Sequence, residues 1–329
     1  MTRRRRLLQG AVGGGALLCG LSAARAQPAG TVLRLGWLRP NAAGPGEFQS
    51  LGIPAALARL GWVEGRNLVI ERRWVDGKTA QLPELARDLV QARCDALLTV
   101  GLPATRAARE ATSTVPIVFF GNFDPVATKL VSSLARPGAN LSGVLISADG
   151  TLAAKKLELL KEAVPRATRV ALLAPDDPAM QLQIAEAGRA AAALGVELGV
   201  VSLRGTDFAG AFDAIVAQGA QAVFVGAHTT FMTDRKAIIA LARRHRLPTV
   251  WEWAEQVRDG GLMAYGTSLT VLYERIASHI DRYFRGARIG ELPVEQPTTF
   301  GLVLNQGTAR AIGLLLPRAL LLRADEVIE

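Results

Sequence analysis

The chain has 329 residues, of which half are hydrophobic, and its formal net charge at pH 7 is +9. Residues 1–26 contain five arginines and no acidic residue, which leaves 33 basic and 29 acidic residues, a net charge of +4, in residues 27–329. A surplus this small gives no support to a nucleic-acid-binding protein, and the hydrophobic content is sufficient for a sizeable core.

The N-terminus has the three parts of a secretory signal peptide. Four arginines, Arg3 to Arg6, precede an uncharged, glycine-rich apolar stretch, and Ala24-Arg25-Ala26 then fits the cleavage pattern. The apolar stretch is short for a stable membrane span. We therefore expect residues 1–26 to be removed on export by the Sec or the twin-arginine route, with a basic arm or lipidation at Cys19 as the alternatives.

The first part of the chain alternates apolar strands with amphipathic helices. The predicted strands are 32–38, 67–74, 95–100 and 115–120, and the predicted helices are 47–62, 82–94, 103–112 and 125–138. Strands that are apolar throughout are typical of sheets covered on both faces, and the alternation predicts right-handed βαβ units with a parallel sheet. Pro54 lies inside the first of these helices, where a proline is unfavourable.

The same pattern begins again at a predicted strand, 140–147, and continues through the second part. The further strands are 169–175, 196–203, 222–227, 247–253 and 260–266, and the helices are 152–165, 178–194, 207–218 and 232–245. A long helix, 270–287, and a proline-punctuated strand-like segment, 292–305, follow. The sequence therefore predicts two α/β units of similar plan, with the last elements crossing between them.

Residues 27–329 contain few side chains suited to metal, redox or nucleophilic chemistry. Cys94 is the one cysteine there, which excludes an internal disulfide, and its position before a strand is typical of a small buried residue. The three histidines, His228, His245 and His279, lie far apart in the sequence. No dinucleotide fingerprint, phosphate-binding loop or G-x-S-x-G elbow occurs. We therefore predict no catalytic residues, no metal site and no cofactor.

Two facing parallel sheets form a cleft at the C-terminal ends of their strands, where open α/β sheets bind ligands. The polar and aromatic residues after the predicted strands are Arg39-Pro40-Asn41, 101–105, 122–125, Asp176-Asp177, 227–230, 251–253 and 265–267. This mixture is typical of a small-ligand pocket. Each candidate also has a structural interpretation: Asp124 before Pro125 matches a helix N-cap, and a lone histidine such as His228 is more often structural.

Several segments carry a family resemblance. The most specific are LGWVEGRNLVIERRW (60–74), DPVATKLVSSLARPGANLSGV (124–144) and LPVEQPTTFGLVLN (292–305). Together with shorter matches, they cover essentially all of residues 27–329. The sequence resembles the ABC transporter substrate-binding proteins of the tryptophan/tyrosine-binding type, a branch of the type 1 periplasmic binding proteins.

The resemblance implies two Rossmann-like lobes with parallel sheets joined by a multi-strand hinge. The implied lobes are 27–143 with about 267–290, and 144–266 with about 291–329. It implies a monomeric periplasmic protein that binds a small organic solute, amino acid-like or an aromatic carboxylate, and delivers it to an inner-membrane ABC permease. A sensory solute-binding protein that feeds a receptor or kinase is the alternative, and a secreted enzyme is less favoured.

The candidate ligand-binding residues combine the strand ends with this resemblance. They are Asn41, Leu102, Pro103, Ala104, Thr105, Asn122, Asp124, His228, Glu252, Trp253 and Tyr265. We expect the helix starts at 103–105 and 125–127 to offer N–H groups to a carboxylate. Trp253 and Tyr265 are expected to cover an apolar part of the ligand, and Asp124 or Glu252 to bind an ammonium group.

Overall fold

The computed structural model of the chain describes residues 32–40, 52–75, 79–146, 151–177 and 180–329. These residues belong to one unit, Val32–Glu329. The predicted signal peptide, 1–26, and the candidate Asn41 lie outside the described residues.

Two β-sheets organise the described residues. Their strands are, in chain order, β1 (Leu33–Arg39), β2 (Leu68–Trp74), β3 (Ala96–Val100), β4 (Ile117–Gly121), β5 (Leu141–Leu145), β6 (Arg169–Pro175), β7 (Glu197–Leu203), β8 (Ala222–Val225), β9 (Thr249–Trp251), β10 (Met263–Gly266), β11 (Gly301–Asn305) and β12 (Glu326–Ile328). The first sheet has the order β2-β1-β3-β4-β5 and is parallel. The second has the order β12-β11-β10-β9-β8-β6-β7, in which β11 runs antiparallel to β10.

Helices connect these strands and cover the sheets. They are α1 (Ile53–Arg59), α2 (Leu82–Gln91), α3 (Gly101–Ala111), α4 (Thr151–Ala163), α5 (Gln181–Ala193), α6 (Phe208–Ala217), α7 (Thr229–Thr233), α8 (Arg235–Arg244), α9 (Ala254–Arg258), α10 (Leu269–Phe284), α11 (Gln306–Ala311) and α12 (Arg318–Arg323). The helix that contains Pro54 begins at Ile53, after the N-cap residue Gly52. The proline therefore lies in the first turn, where no intrahelical hydrogen bond is lost.

We call the first sheet with α1, α2, α3 and α10 the first lobe, and the second sheet with the remaining helices the second lobe. In β1, Leu35 and Trp37 face one apolar cluster and Leu38 faces the cluster on the opposite side of the sheet. The late helix α10 adds Leu272, Ile276 and Ile280 to the same cluster as Trp37. Burial of each such side chain stabilises the fold by about 2 kcal/mol, which anchors α10 to the first lobe.

The chain passes between the lobes after β5 and returns after β10 to form α10. It then runs beside β5, where the backbone N–H of Glu295 donates to the Gly143 carbonyl oxygen (2.9 Å) and the N–H of Leu145 donates to the Glu295 carbonyl oxygen (2.8 Å). From there it passes back to β11 in the second lobe. The lobe limits given above remain a prediction.

Two predicted elements differ from the structure. Strand β5, expected to begin the second unit, pairs with β4 in the first sheet. The helix expected over 125–138 is instead a series of turns, in which Lys129 has a left-handed conformation (φ 58°). The N–H groups of Leu130 and Val131 both donate to the Pro125 carbonyl oxygen, so this backbone is satisfied without helical propagation.

Candidate functional site

A cavity lies between the two lobes at the C-terminal ends of their strands. The first lobe contributes Pro40, 100–103, 120–123 and Ile146, and the second contributes Asp177, Met180, Gln183, Ala227, His228 and Trp253. The space between these residues, counted together with the solvent open to the outside, is about 650 Å³. Apolar walls with a few polar groups at the carboxyl edge of parallel strands are the usual features of a small-molecule site. We call this space the inner cavity.

A wider outer cleft adjoins the inner cavity. The two share five lining residues, which are Pro40, Leu102, Pro103, Asp177 and His228. The outer cleft adds charged side chains from both lobes, which are Arg106, Glu110, Asp176 and Arg204. The outer cleft therefore offers a polar route to the more apolar inner cavity.

The start of α3 forms one wall of the inner cavity. The chain turns from β3 into the helix at Gly101, whose φ of +79° is a conformation that favours glycine. Among the described residues no side chain caps this helix, and Pro103 has no N–H group. The N–H groups of Gly101 and Leu102 therefore lack helical acceptors, and both residues line the cavity.

Two candidates in this turn are structural rather than cavity-lining. The Thr105 hydroxyl donates to the Gly101 carbonyl oxygen (2.8 Å) and lies 2.9 Å from the Thr99 hydroxyl. Both Thr105 and Ala104 are fully buried. Thr105 thus stabilises the strand-to-helix turn through hydrogen bonds inside the first lobe.

The end of β4 forms the adjacent wall. Asn122 and Phe123 line the cavity, and the Phe123 ring packs against Phe119 with 5.4 Å between centroids. A Cβ atom on Gly121 would lie 2.9 Å from the Phe123 ring and 3.2 Å from the Gly101 Cα. Glycine at this position therefore lets the ends of β3 and β4 approach each other closely.

Asp124 has the capping role that its sequence context indicates. Its Oδ1 accepts hydrogen bonds from the backbone N–H groups of Val126 (2.8 Å) and Ala127 (2.9 Å). The element that it caps is a turn, not the expected helix, and Asp124 does not line the inner cavity. The carboxylate is therefore already engaged by its own backbone.

The second lobe contributes a histidine–aspartate pair. The backbone N–H of Thr230 donates to His228 Nδ1 (3.3 Å), which makes Nδ1 an acceptor and puts the ring hydrogen of the neutral form on Nε2. Nε2 lies 3.2 Å from Asp177 Oδ2 and donates to it. His228 therefore both caps α7 and orients the Asp177 carboxylate at the cavity.

Gln183 is a site residue that the sequence does not single out. It lies on α5, its side chain is only 5 % exposed, and its Oε1 accepts from the Ala227 N–H (2.9 Å). This contact identifies the oxygen of the amide and directs the NH₂ group elsewhere. Gln183 is thus a buried amide in the cavity wall that is held through its Oε1.

Trp253 is the cavity-lining candidate with the deepest burial, at 3 % exposed. It lies between β9 and α9, and its backbone N–H donates to Gln256 Oε1 (3.0 Å). The preceding Glu252 does not line the cavity; it forms an ion pair with Lys156 in which both side chains are almost fully buried. Glu252 is therefore already neutralised by a lysine.

Tyr265, the other predicted aromatic wall, lies away from the inner cavity. It is on β10, half-buried, and its ring packs against Phe300 with 6.2 Å between centroids.

The structure thus brings five candidates together around the cavity, which are Leu102, Pro103, Asn122, His228 and Trp253. It leaves five outside, which are Ala104, Thr105, Asp124, Glu252 and Tyr265.

Other chemistry finds little support in the described part of the chain. No group of three or more His, Cys, Asp or Glu side chains there is placed to hold a metal ion. Cys94 is buried, and that burial raises the pKa of its thiol to about 11, so it is a poor nucleophile at neutral pH. No helix in these residues is long and apolar enough to cross a membrane.

Comparisons with known proteins find relatives of similar fold. A tyrosine-binding protein of Clostridioides difficile is 22 % identical over 265 residues, 79 % of this chain and 75 % of that protein. A crystal structure from Streptococcus pneumonia in complex with L-Trp has a TM-score of 0.79 at 21 % identity, covering 91 % of this chain and all of that one. A Vibrio cholerae domain protein also reaches 0.79, at 24 % identity over 90 % of this chain and all of that one.

These findings confirm the predicted fold, an α/β architecture with parallel sheets in two lobes, which is that of the type 1 periplasmic binding proteins. The model of the ABC transporter substrate binding protein family matches residues 46–328. The chain therefore belongs to the ABC transporter substrate binding protein family.

Proposed function

We propose that residues 27–329 form the extracytoplasmic solute-binding protein of an ABC importer, with a small organic acid as its ligand. The observation that carries this proposal is the inner cavity, which is lined from both lobes at the carboxyl edges of their sheets. The signal-like N-terminus supports a periplasmic location. The importer's partner would be an inner-membrane ABC permease, and the protein would work as a monomer without a cofactor.

The polar groups of the first lobe favour a carboxylate. The N–H groups of Gly101 and Leu102 have no acceptor within α3 because they belong to its first turn, and the helix dipole adds partial positive charge there. Asn122 supplies a side-chain amide beside them. A carboxylate bound at this point would accept hydrogen bonds from groups that have no helical acceptor.

The remaining walls favour an aromatic or branched apolar body. Phe120, Phe123, Met180 and Trp253 line the cavity and would pack against an aromatic ring. The ligands named for the two relatives, tyrosine and L-Trp, have this form. Asp177 is the acidic side chain among the described lining residues and would face the ammonium group of such an amino acid.

Ligand binding would couple to movement of the lobes. A ligand in the inner cavity contacts both lobes only when they are close together, so it favours the closed arrangement by its additional contacts there. The crossings after β5 and β10, and the segment from Glu295 to β11, would act as the hinge. The permease would then recognise the closed form.

A thermal-shift scan of residues 27–329 tests the proposal. The panel contains amino acids, aromatic acids, small carboxylates and purines, and a ligand at 100 times its Kd should stabilise the fold by about 2.7 kcal/mol. Asn122→Ala is the cavity variant. Asn67→Ala is the matched control, because among the described residues the Asn67 side chain bonds to the local turn at Gly61 and Val63.

We expect a carboxylate to raise the Tm of the wild type and of Asn67→Ala, with a smaller shift for Asn122→Ala. Equal shifts in all three proteins would place the ligand elsewhere and overturn the assigned site. Uptake of the bound solute by cells that lack the gene for this protein distinguishes an importer from a sensory protein. Loss of that uptake supports an importer, whereas binding without loss of uptake supports the sensory alternative.

A further inference from the structure

Gln183 is fixed in the wall of the inner cavity by one end of its side-chain amide. The side chain is 5 % exposed, and its Oε1 accepts from the Ala227 N–H at 2.9 Å. Gly226 makes room for this contact, because a Cβ atom there would lie 3.1 Å from Gln183 Oε1 and 2.6 Å from the Met180 Cε. A backbone N–H can only donate, so the other end of the amide is the NH₂ group.

The NH₂ group of Gln183 faces the inner cavity. Its Nε2 has no acceptor among the described residues. Some enclosed side-chain atoms in these residues lack a partner, such as Asn140 Oδ1 and Glu252 Oε1, but Nε2 is not one of them and therefore retains contact with open space. The space that Gln183 lines is the inner cavity. Its NH₂ group is thus a hydrogen-bond donor open to a molecule in that cavity.

A carboxylate in this cavity depends on neutral donors, because the described lining residues include no arginine or lysine. The two oxygens of a carboxylate accept about four hydrogen bonds. The first lobe offers the N–H groups at the start of α3 and the amide of Asn122. In the second lobe, the Nε2 hydrogen of His228 goes to Asp177 (3.2 Å). The donor that the second lobe leaves open to the cavity is therefore the amide of Gln183.

We infer that Gln183 determines specificity by donating from its Nε2 to the carboxylate of the ligand, an inference that rests on the proposed function. The carboxylate is then bound from both walls, by the α3 start and Asn122 on one side and by Gln183 on the other. Because Oε1 is fixed on Ala227, the amide does not turn over to present an acceptor. Gln183 therefore selects for an acceptor oxygen and against a ligand that places a donor at this point.

Gln183→Glu tests this role, because it keeps the length of the side chain and an oxygen for the Ala227 N–H, and it replaces the NH₂ donor by an oxygen. At pH 8, the affinity for L-tryptophan or L-tyrosine should fall about tenfold or more, since a charge-assisted hydrogen bond is lost and two carboxylates are brought together. Tryptamine and tyramine, which lack only the carboxylate, should bind the variant no more weakly than the wild type. A residue that only supports the wall would lower the affinity for acid and amine alike.

Gln181→Glu is the matched control. Gln181 lies on the same helix two residues earlier, is exposed and does not line the inner cavity. It undergoes the same change in charge, so the affinity for either acid should stay as in the wild type. Calorimetric titrations of residues 27–329 measure these affinities, and the Tm of each empty variant shows whether it is folded.

Unchanged affinity of Gln183→Glu for an acid that binds the wild type would overturn the inference, as would equal losses for an acid and its amine counterpart. Should the variant fail to fold, the wild-type protein gives the answer through the ¹⁵N–¹H resonances of the Gln183 side-chain amide. They should shift when L-tryptophan, L-tyrosine or benzoate saturates the protein, and unshifted resonances with a bound acid overturn the inference. If none of these three acids binds, the inference fails; if the thermal-shift panel also gives no binder, the proposed function fails with it.

Discussion

Removal of one partner from the Lys156–Glu252 ion pair should strongly destabilise the second lobe. The two side chains are 0 % and 2 % exposed, and Glu252 Oε1 has no hydrogen-bond partner among the described residues. Lys156 also lies over the Phe224 ring, 5.0 Å from its centroid. The ammonium group is thus the main compensation for a carboxylate that has no access to water.

The magnitude follows from that burial. Lys156→Met leaves the Glu252 charge buried and unpaired, which costs about 3–5 kcal/mol. The unfolding entropy is about 2.1 cal/mol/K per residue, or roughly 0.6 kcal/mol/K for about 300 residues, so the Tm should fall by about 5–8 °C. The double variant Lys156→Met with Glu252→Leu removes both charges and should lie within about 1 kcal/mol of wild type.

Urea unfolding of residues 27–329, followed by circular dichroism, measures these differences. Lys155→Met is the matched control, because Lys155 is the neighbouring lysine and its pair with Glu158 is half-exposed (46 % and 49 %). It should change the stability by less than about 1 kcal/mol. A loss below about 1 kcal/mol for Lys156→Met, or a double variant as unstable as the single one, would refute the reasoning.

Three further predictions concern single residues. Asp124→Asn should leave ligand affinity unchanged, whereas Asp124→Ala should lower the stability by about 1 kcal/mol through loss of the turn cap; weaker binding by Asp124→Asn would contradict its placement outside the cavity. Asn122→Ala should lower the affinity for a carboxylate about tenfold in calorimetry, with an unchanged Tm of the empty protein, and a comparable loss of Tm would indicate a folding role instead. Burial raises the pKa of Cys94 to about 11, so the neutral thiol stabilises the fold at neutral pH and this contribution should disappear as the pH rises through that pKa. Ellman's reagent should therefore label Cys94 at pH 7 only after unfolding, and rapid labelling of the native protein would contradict the burial.

The sequence by itself determined the fold class, because the alternation of apolar strands and amphipathic helices is a local pattern. It also indicated the strand ends that meet at the inner cavity: Leu102, Asn122 and His228 all follow parallel strands, and parallel strands place their carboxyl ends at one edge of a sheet. The segment 125–138 is the exception, since its sequence suits a helix and its backbone instead closes on Pro125 and Pro137.

Only the tertiary structure decided which polar groups are free to meet a ligand. Glu252 pairs with a lysine 96 residues away, and the Thr105 hydroxyl donates to the Gly101 carbonyl oxygen. The Asp124 carboxylate accepts hydrogen bonds from the backbone that follows it. None of these three side chains lines the cavity. Gln183 enters the wall from the first turn of α5, where the sequence carries no turn or strand-end signal. Burial and pairing depend on neighbours that are distant in the chain, and for that reason local sequence patterns locate the edge of a site but do not assign its contacts.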